Sequence, residues 1–258
     1  ALGGGQTAIG VVFLTVRALD FAGFLVVVSR LLDRSAVTST GVRWLAAWPF
    51  AVSNLLFMMY YQIGVTMLAV LSSSREAGLY GAVYRFIDVL QVAPRLVIVA
   101  AFPAMAVAWA TDRTRFRRTL SHLQRVQFAI GIPLLLGVFL WGESLLVLAF
   151  GAEFRDGAPA LRLLVAGNIF AFQSLLLAQA MQASAHEHTL AAILAATVVC
   201  SIALNAILIP AHGARGAAEA TALTEVLYLG LLVAFSRRQS IGIMRGPSLL
   251  RRRPQELP

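Results

Sequence analysis

Long apolar runs broken by short polar turns set the pattern of this chain. A run of about 20 or more apolar residues can cross ~30 Å of hydrocarbon as a helix. Seven such runs fall at roughly 8–31, 43–70, 78–110, 119–149, 158–185, 189–210 and 215–236. Several exceed the length a bilayer requires, which predicts tilting, kinking or projection beyond it. Pro49, Pro94, Pro103 and Pro133 lie inside these runs, where each removes a backbone hydrogen bond and can bend the helix. A break near Gly142-Glu143 would leave Ser144–Phe150 as a separate interfacial piece. The pattern predicts an all-α, polytopic membrane helix bundle of about seven transmembrane helices.

One run carries polar residues that its surroundings make expensive. Within Tyr80–Arg95, the residues Tyr84, Arg85, Asp88, Gln91 and Arg95 recur at helical spacing and are expected to share a face. Val83, Phe86, Ile87, Val89 and Leu90 cover the rest. A charge at the bilayer centre costs roughly 3 kcal/mol on insertion scales, so such residues normally face a bundle interior or a watery cavity. The stripe points to a polar, anionic group met inside the membrane. A second Arg–Asp pair at the same spacing, Arg17 and Asp20, lies in the first run.

Composition supports the membrane reading. The 258 residues are 59% hydrophobic and 13% charged, with a mean hydropathy of +0.79, whereas soluble domains are about one quarter charged. The formal charge of +9 has no aromatic-interleaved basic module to present it to nucleic acid. All 21 basic residues are Arg. The single cysteine, Cys200, excludes a disulfide framework within the chain and reads as a small buried hydrophobe.

Arginine asymmetry orients the spans. Arg30, Arg34, Arg43, Arg113, Arg115, Arg117, Arg118, Arg237, Arg238, Arg245, Arg251, Arg252 and Arg253 fall on one side of the alternation, against Arg75, Arg155 and Arg215 on the other. The richer side is expected in the cytoplasm, with the C-terminus, and its arginines against anionic lipid headgroups. Trp44, Trp48 and Trp109 would mark the inner interface and Trp141 the outer. An external start and an odd span number fit the sixth to twelfth helices of a twelve-helix transporter. On that reading 1–33 is the last helix of an N-terminal half, 34–238 a six-helix lobe, and 239–258 a basic cytoplasmic tail.

Two segments carry a family resemblance. Ser72-Ser-Ser-Arg-Glu-Ala-Gly-Leu-Tyr-Gly-Ala-Val-Tyr-Arg-Phe-Ile-Asp88, with Pro94 and Ala101-Phe-Pro-Ala following, is one. Leu204-Asn-Ala-Ile-Leu-Ile-Pro-Ala-His-Gly-Ala-Arg-Gly-Ala-Ala-Glu-Ala-Thr221 is the other. Together they resemble the C-terminal part of the O-antigen and exopolysaccharide flippases of the multidrug/oligosaccharidyl-lipid/polysaccharide exporter superfamily. An Asp that the family often carries before the Gly-x-Tyr turn is absent from Tyr60-Tyr-Gln-Ile-Gly-Val65.

The resemblance implies translocation of an undecaprenyl-diphosphate-linked oligosaccharide across the bacterial cytoplasmic membrane by alternating access, without a cofactor and without catalysis. It also implies a further N-terminal lobe as partner. Arginines can hold phosphates through paired charge-assisted hydrogen bonds, so Arg85 and Arg95 are the leading substrate contacts, with Arg17 third. Asp88, Tyr84 and Gln91 extend the polar face, and Asn54, Tyr61 and Gln62 could meet sugar hydroxyls. Glu225 is a candidate for coupling to a cation.

Each residue also has a plainer reading. Arg–Asp pairs at this spacing can neutralise one another, Arg95 can snorkel, and Asn168, Gln173 and Asn205 can hydrogen-bond between helices. His186-Glu-His188 offers no third metal ligand and reads as a solvated turn. No P-loop, nucleophile elbow or zinc-protease signature occurs. A lipid II flippase, a multidrug exporter of the same superfamily and a membrane-embedded glycan polymerase or ligase stand as alternatives.

Overall fold

The computed structural model describes residues 44–239. The chain divides into two compact units, Ala1–Trp48 and Pro49–Pro258, and the described helices lie almost wholly in the second. Helix α1 (Trp44–Leu71) leads into α2 (Ser74–Thr111), α3 (Arg113–Phe150), a 3-10 turn (Ala152–Gly157), α4 (Ala158–Ala183) and α5 (Glu187–Arg238). Among the described residues five helices are long and apolar enough to cross a membrane. The expected first span, with Arg17 and Asp20, and the expected basic tail from 240 onward lie outside the described residues.

Local chemistry sets the helix starts. Ser73 opens α2, its hydroxyl accepting from the Glu76 N–H at 3.2 Å. Asp112 opens α3, its carboxylate accepting from the N–H groups of Thr114 at 2.8 Å and Arg115 at 3.1 Å, as an N-cap does. The run Arg113–Arg118 is therefore helix rather than the loop the hydropathy pattern predicts, and Phe116 and Leu120 bury its inner face.

The expected break at Gly142-Glu143 is absent, for α3 continues to Phe150. Gly142 serves close packing instead: a Cβ there would stand 2.7 Å from the Leu161 side chain of α4. Glu143 lies 3.4 Å from Arg155 and 3.7 Å from Arg162, so its charge is shared at the helix end.

The expected sixth and seventh spans are two arms of α5, joined at Gly213. This residue has φ 55° and ψ −132°, a conformation that favours glycine. A Cβ on Gly216 would lie 2.1 Å from the Leu208 carbonyl oxygen, whereas eight residues of straight helix would separate them by about 12 Å. The arms 187–212 and 214–238 thus fold back on one another. Glu76 seals the reversal, its carboxylate accepting from the Ala214 N–H at 2.8 Å. Close by, His212 at 2.9 Å and Arg215 at 3.0 Å share Glu219.

Helix α4 is the centre of the bundle: 61% of its apolar window is buried, against 17–33% for the others. It packs on α2, α3 and α5. Its Gly167 lets the α5 backbone approach, since a Cβ would come within 3.1 Å of Ala222 Cα. Small residues at such crossings are the usual device of membrane helix packing.

The turns gather alternately at two ends. Arg75 meets Asp156 at 2.6 Å, beside the Glu76–Ala214 contact. At the other end His186 packs edge-on against Trp109 and Phe235, and its Nδ1 lies 3.0 Å from the Ser184 hydroxyl. His186 is thereby a packed residue rather than a solvated turn, while His188 stays exposed.

Gly216→Ala should lower the unfolding midpoint of the detergent-solubilised protein far more than Gly81→Ala. The first sets a methyl against backbone, at or above the ~1–3 kcal/mol typical of overpacking, and the second enters open space.

Candidate functional site

Two hydrophobic clusters fill the bundle. One runs through Leu68, Tyr80, Val83, Leu90, Leu146, Leu161, Phe172 and Ile209. The other runs through Ile98, Met105, Phe116, Leu123, Leu176, Met181, Leu194 and Tyr228. Ser53, Ser184 and Ser236 are buried near one end, but each helix also buries a polar residue where one cluster hands over to the other: Tyr60 on α1, Gln91 on α2, Gln127 on α3, Gln173 and Ser174 on α4, and Ser201, Asn205 and Thr224 on α5. The bundle has a polar belt at mid-height.

The α2 stripe meets this belt from the side. Helix α2 is 38 residues long, about 57 Å at 1.5 Å per residue, and the stripe runs from its eleventh to its twenty-second residue. Tyr61 of α1 donates its hydroxyl to Asp88, and the Tyr84 hydroxyl donates to the Tyr61 carbonyl oxygen at 3.3 Å. The rings of Tyr61 and Tyr84 meet edge-on at 5.3 Å. Arg95 turns back to donate to Gln91 Oε1 at 2.7 Å and lies over the Tyr61 ring at 5.8 Å, so it joins the stripe rather than snorkelling away. Gln91 Nε2 in turn donates to Asn168 Oδ1 of α4 at 3.2 Å.

Arg85 departs from the expected single face. At 100° per residue it stands about 60–120° round the helix from the other four. Its guanidinium lies 3.9 Å from Asp88, and its side chain is 78% exposed. Exposed Val89, Val92, Leu96 and Val99 continue that outer face. A contact of this length and exposure restrains the side chain only weakly, so most of the guanidinium donors remain available to an anion. Gln62 is exposed and outside the network. Asn54 is also exposed, about 10 Å along α1 from Tyr61.

Glu225 lies on the other side of Tyr61. A cavity of about 20 Å³ is lined by Tyr60, Tyr61, Gln91, Ser174, Glu225 and Tyr228 together with apolar neighbours, roughly the room for one water-sized guest. The Glu225 carboxylate faces the Tyr60 hydroxyl there, and the hydroxyls of Ser174 and Tyr228 are buried without hydrogen bonds. Tyr61 and Gln91 thus belong both to the stripe and to the wall of the Glu225 cavity. Sequence reading missed Tyr60, Ser174 and Tyr228. The Tyr60-Tyr61 pair and the three-residue step from Glu225 to Tyr228 were the available signals.

The interhelical role holds for Asn168 but not for two other amides. Asn205 donates within its own helix, to the Ser201 carbonyl at 2.8 Å, and both polar atoms of Gln173 lack partners. Among the described residues, no group of three or more His, Cys, Asp or Glu side chains is placed to hold a metal ion.

A bundle of long apolar helices with a buried polar belt is a multi-pass membrane protein. Among known proteins, the chain is similar to the probable low-salt glycan biosynthesis flippase Agl15 of Haloferax volcanii, at 23% identity over 175 residues. The match covers 67% of this chain and 37% of that protein, so the chain spans little more than a third of its relative. The distant likeness supports a flippase-like transport role. No family model and no solved structure matches the chain.

Gln91→Leu strips a partner from both Arg95 and Asn168 and should destabilise the protein by about 1–2 kcal/mol. Adding Asn168→Leu should cost less than the sum of the two single changes, a coupling that a double-mutant cycle of unfolding midpoints measures.

Proposed function

We propose that this chain forms part of a flippase that moves an undecaprenyl-diphosphate-linked oligosaccharide across a bacterial cytoplasmic membrane by alternating access, its C-terminus in the cytoplasm. The observation that carries the reading is Arg85: an arginine twelve residues into a 38-residue membrane helix, presented outward and loosely held. A diphosphate crossing ~30 Å of hydrocarbon needs cationic donors at depth, and a guanidinium supplies them in paired geometry. The likeness to a glycan biosynthesis flippase supports the same substrate class.

In this reading Arg85 takes the phosphate, and Asp88, drawn away by Tyr61, competes weakly enough to let the anion in and strongly enough to let it leave. Arg95 and Gln91 hold the inner edge of the stripe. Tyr84, Tyr61, Gln62 and Asn54 offer hydroxyls and amides to sugars. Glu225 is the coupling group. A cation arriving at or leaving its carboxylate changes the field at Tyr61 and Gln91, which the two sites share. A further lobe would supply the opposing wall, and the basic end would rest against anionic headgroups.

Binding of a fluorescent polyprenyl diphosphate to the purified protein tests the anion site. Arg85→Ala should weaken binding about ten-fold or more, the worth of a charge-assisted hydrogen bond. Arg85→Lys should keep part of it, and Arg75→Ala at the helix end should leave it unchanged. Wild-type binding by Arg85→Ala would remove Arg85 from the site.

Cysteine labelling tests the environment. In a Cys200→Ser background, Arg85→Cys should react quickly with a membrane-impermeant thiol reagent and Gln91→Cys slowly. An unreactive Arg85→Cys would place that face against lipid.

A further inference from the structure

A second cavity lies away from the stripe, at the end where α2 hands over to α3. It measures about 320 Å³ and is lined by Trp109, Arg113, Phe116, Arg117, His186 and Gln239, a size typical of small-ligand pockets. Its lining combines two kinds of surface. Arg113 lies over the Trp109 ring, its guanidinium carbon 3.1 Å from the ring centre, and Trp109 is itself braced by Phe116 at 5.0 Å and His186 at 5.9 Å. Stacking of this kind fixes the direction of the guanidinium edge before any ligand arrives. Arg117 follows Arg113 by four residues and so shares its helix face. With Nδ1 of His186 engaged by Ser184, Nε2 is its other hydrogen-bonding atom. Among the described residues, no carboxylate lines the cavity.

Position selects the kind of anion. The apolar run of α2 ends at Thr111, and the Asp112 cap begins the arginine-rich first turns of α3. Partly buried Ala106 and Phe102 precede Trp109 by three and seven residues on its own face of α2, so apolar surface adjoins the cationic cavity on the membrane side. A tryptophan at such a boundary sits at headgroup level, and basic pockets between membrane helices suit phosphate headgroups. A soluble phosphate would use the guanidinium edges alone, whereas a lipid would also use the aromatic wall and the apolar flank.

We propose that this cavity binds the phosphate headgroup of an anionic membrane lipid, with Arg113 and Arg117 on the phosphate and Trp109 and Phe116 against the glycerol and upper chain. The site is separate from the stripe and stands independently of what Arg85 binds. It distinguishes two arginines of the run from their neighbours: Arg115 and Arg118 lie in the same turns and carry the same charge but do not line the cavity.

Native mass spectrometry of the detergent-solubilised full chain, titrated with phosphatidylglycerol or phosphatidylcholine, tests the assignment. Phosphatidylglycerol should bind in preference to phosphatidylcholine. The Arg113→Gln/Arg117→Gln variant should weaken it about ten-fold or more, and Arg115→Gln/Arg118→Gln should bind as wild type. All four arginines are exposed, so both variants should fold, and unchanged helical circular dichroism verifies this. Equal losses in the two variants would reduce the effect to diffuse charge and overturn the site. Binding of inorganic phosphate as tight as that of phosphatidylglycerol would overturn the lipid assignment.

Discussion

Hydrocarbon offers no hydrogen-bond partners, and the architecture follows from that constraint. Backbone groups answer it by helix formation, which satisfies them within each segment. Side chains answer it differently. Leu, Val, Ile and Phe fill two clusters at either end of the bundle, and the polar residues that must lie at depth are collected between them. The belt is not uniformly satisfied. Gln91 is bonded on both sides, whereas Gln127, Gln173, Ser174 and Tyr228 hold buried atoms without partners. Unpaired polar atoms in a low-dielectric interior are costly, which sets this level apart from the apolar clusters on either side of it.

Stripe and cavity are two halves of one arrangement seen from opposite sides of Tyr61. On the outer side the tyrosine binds Asp88 and supports Arg95. On the inner side it closes the space around Glu225. The stripe and the Glu225 carboxylate therefore share one side chain as a partition, and the proposed coupling would have to pass through that contact.

Much of this was legible in the chain, because hydropathy acts over runs long enough to average out local detail. Four of the five described helices each follow one apolar run and α5 takes in two, and the misjudged boundaries lie where single side chains decide. Asp112 turns an arginine run into helix, and Gly142 marks a close approach that resembles a break when read without its neighbour Leu161. The stripe was legible as a set of spacings, but Arg85 was grouped with the other four although its 100° step from Tyr84 already sets it on a different face. The belt escaped notice for a different reason. Its members come from five helices and are separated by tens of residues, so no window of sequence contains more than two or three of them. Glu225 was recognisable by its charge, but the tyrosines around it looked like ordinary core until the fold brought them together.

The reversal at Gly213 gives the bundle a sense of time as well as of shape. Ala214 can be held by Glu76 only after almost the whole lobe has been made, since the two are 138 positions apart. A chain emerging from the ribosome inserts its early helices with the Glu76 carboxylate waiting at the start of α2. The last hairpin then arrives and supplies the amide that completes it. The contact is a clasp between the oldest and newest parts of the lobe, and a chain stopped short of residue 214 would leave it open.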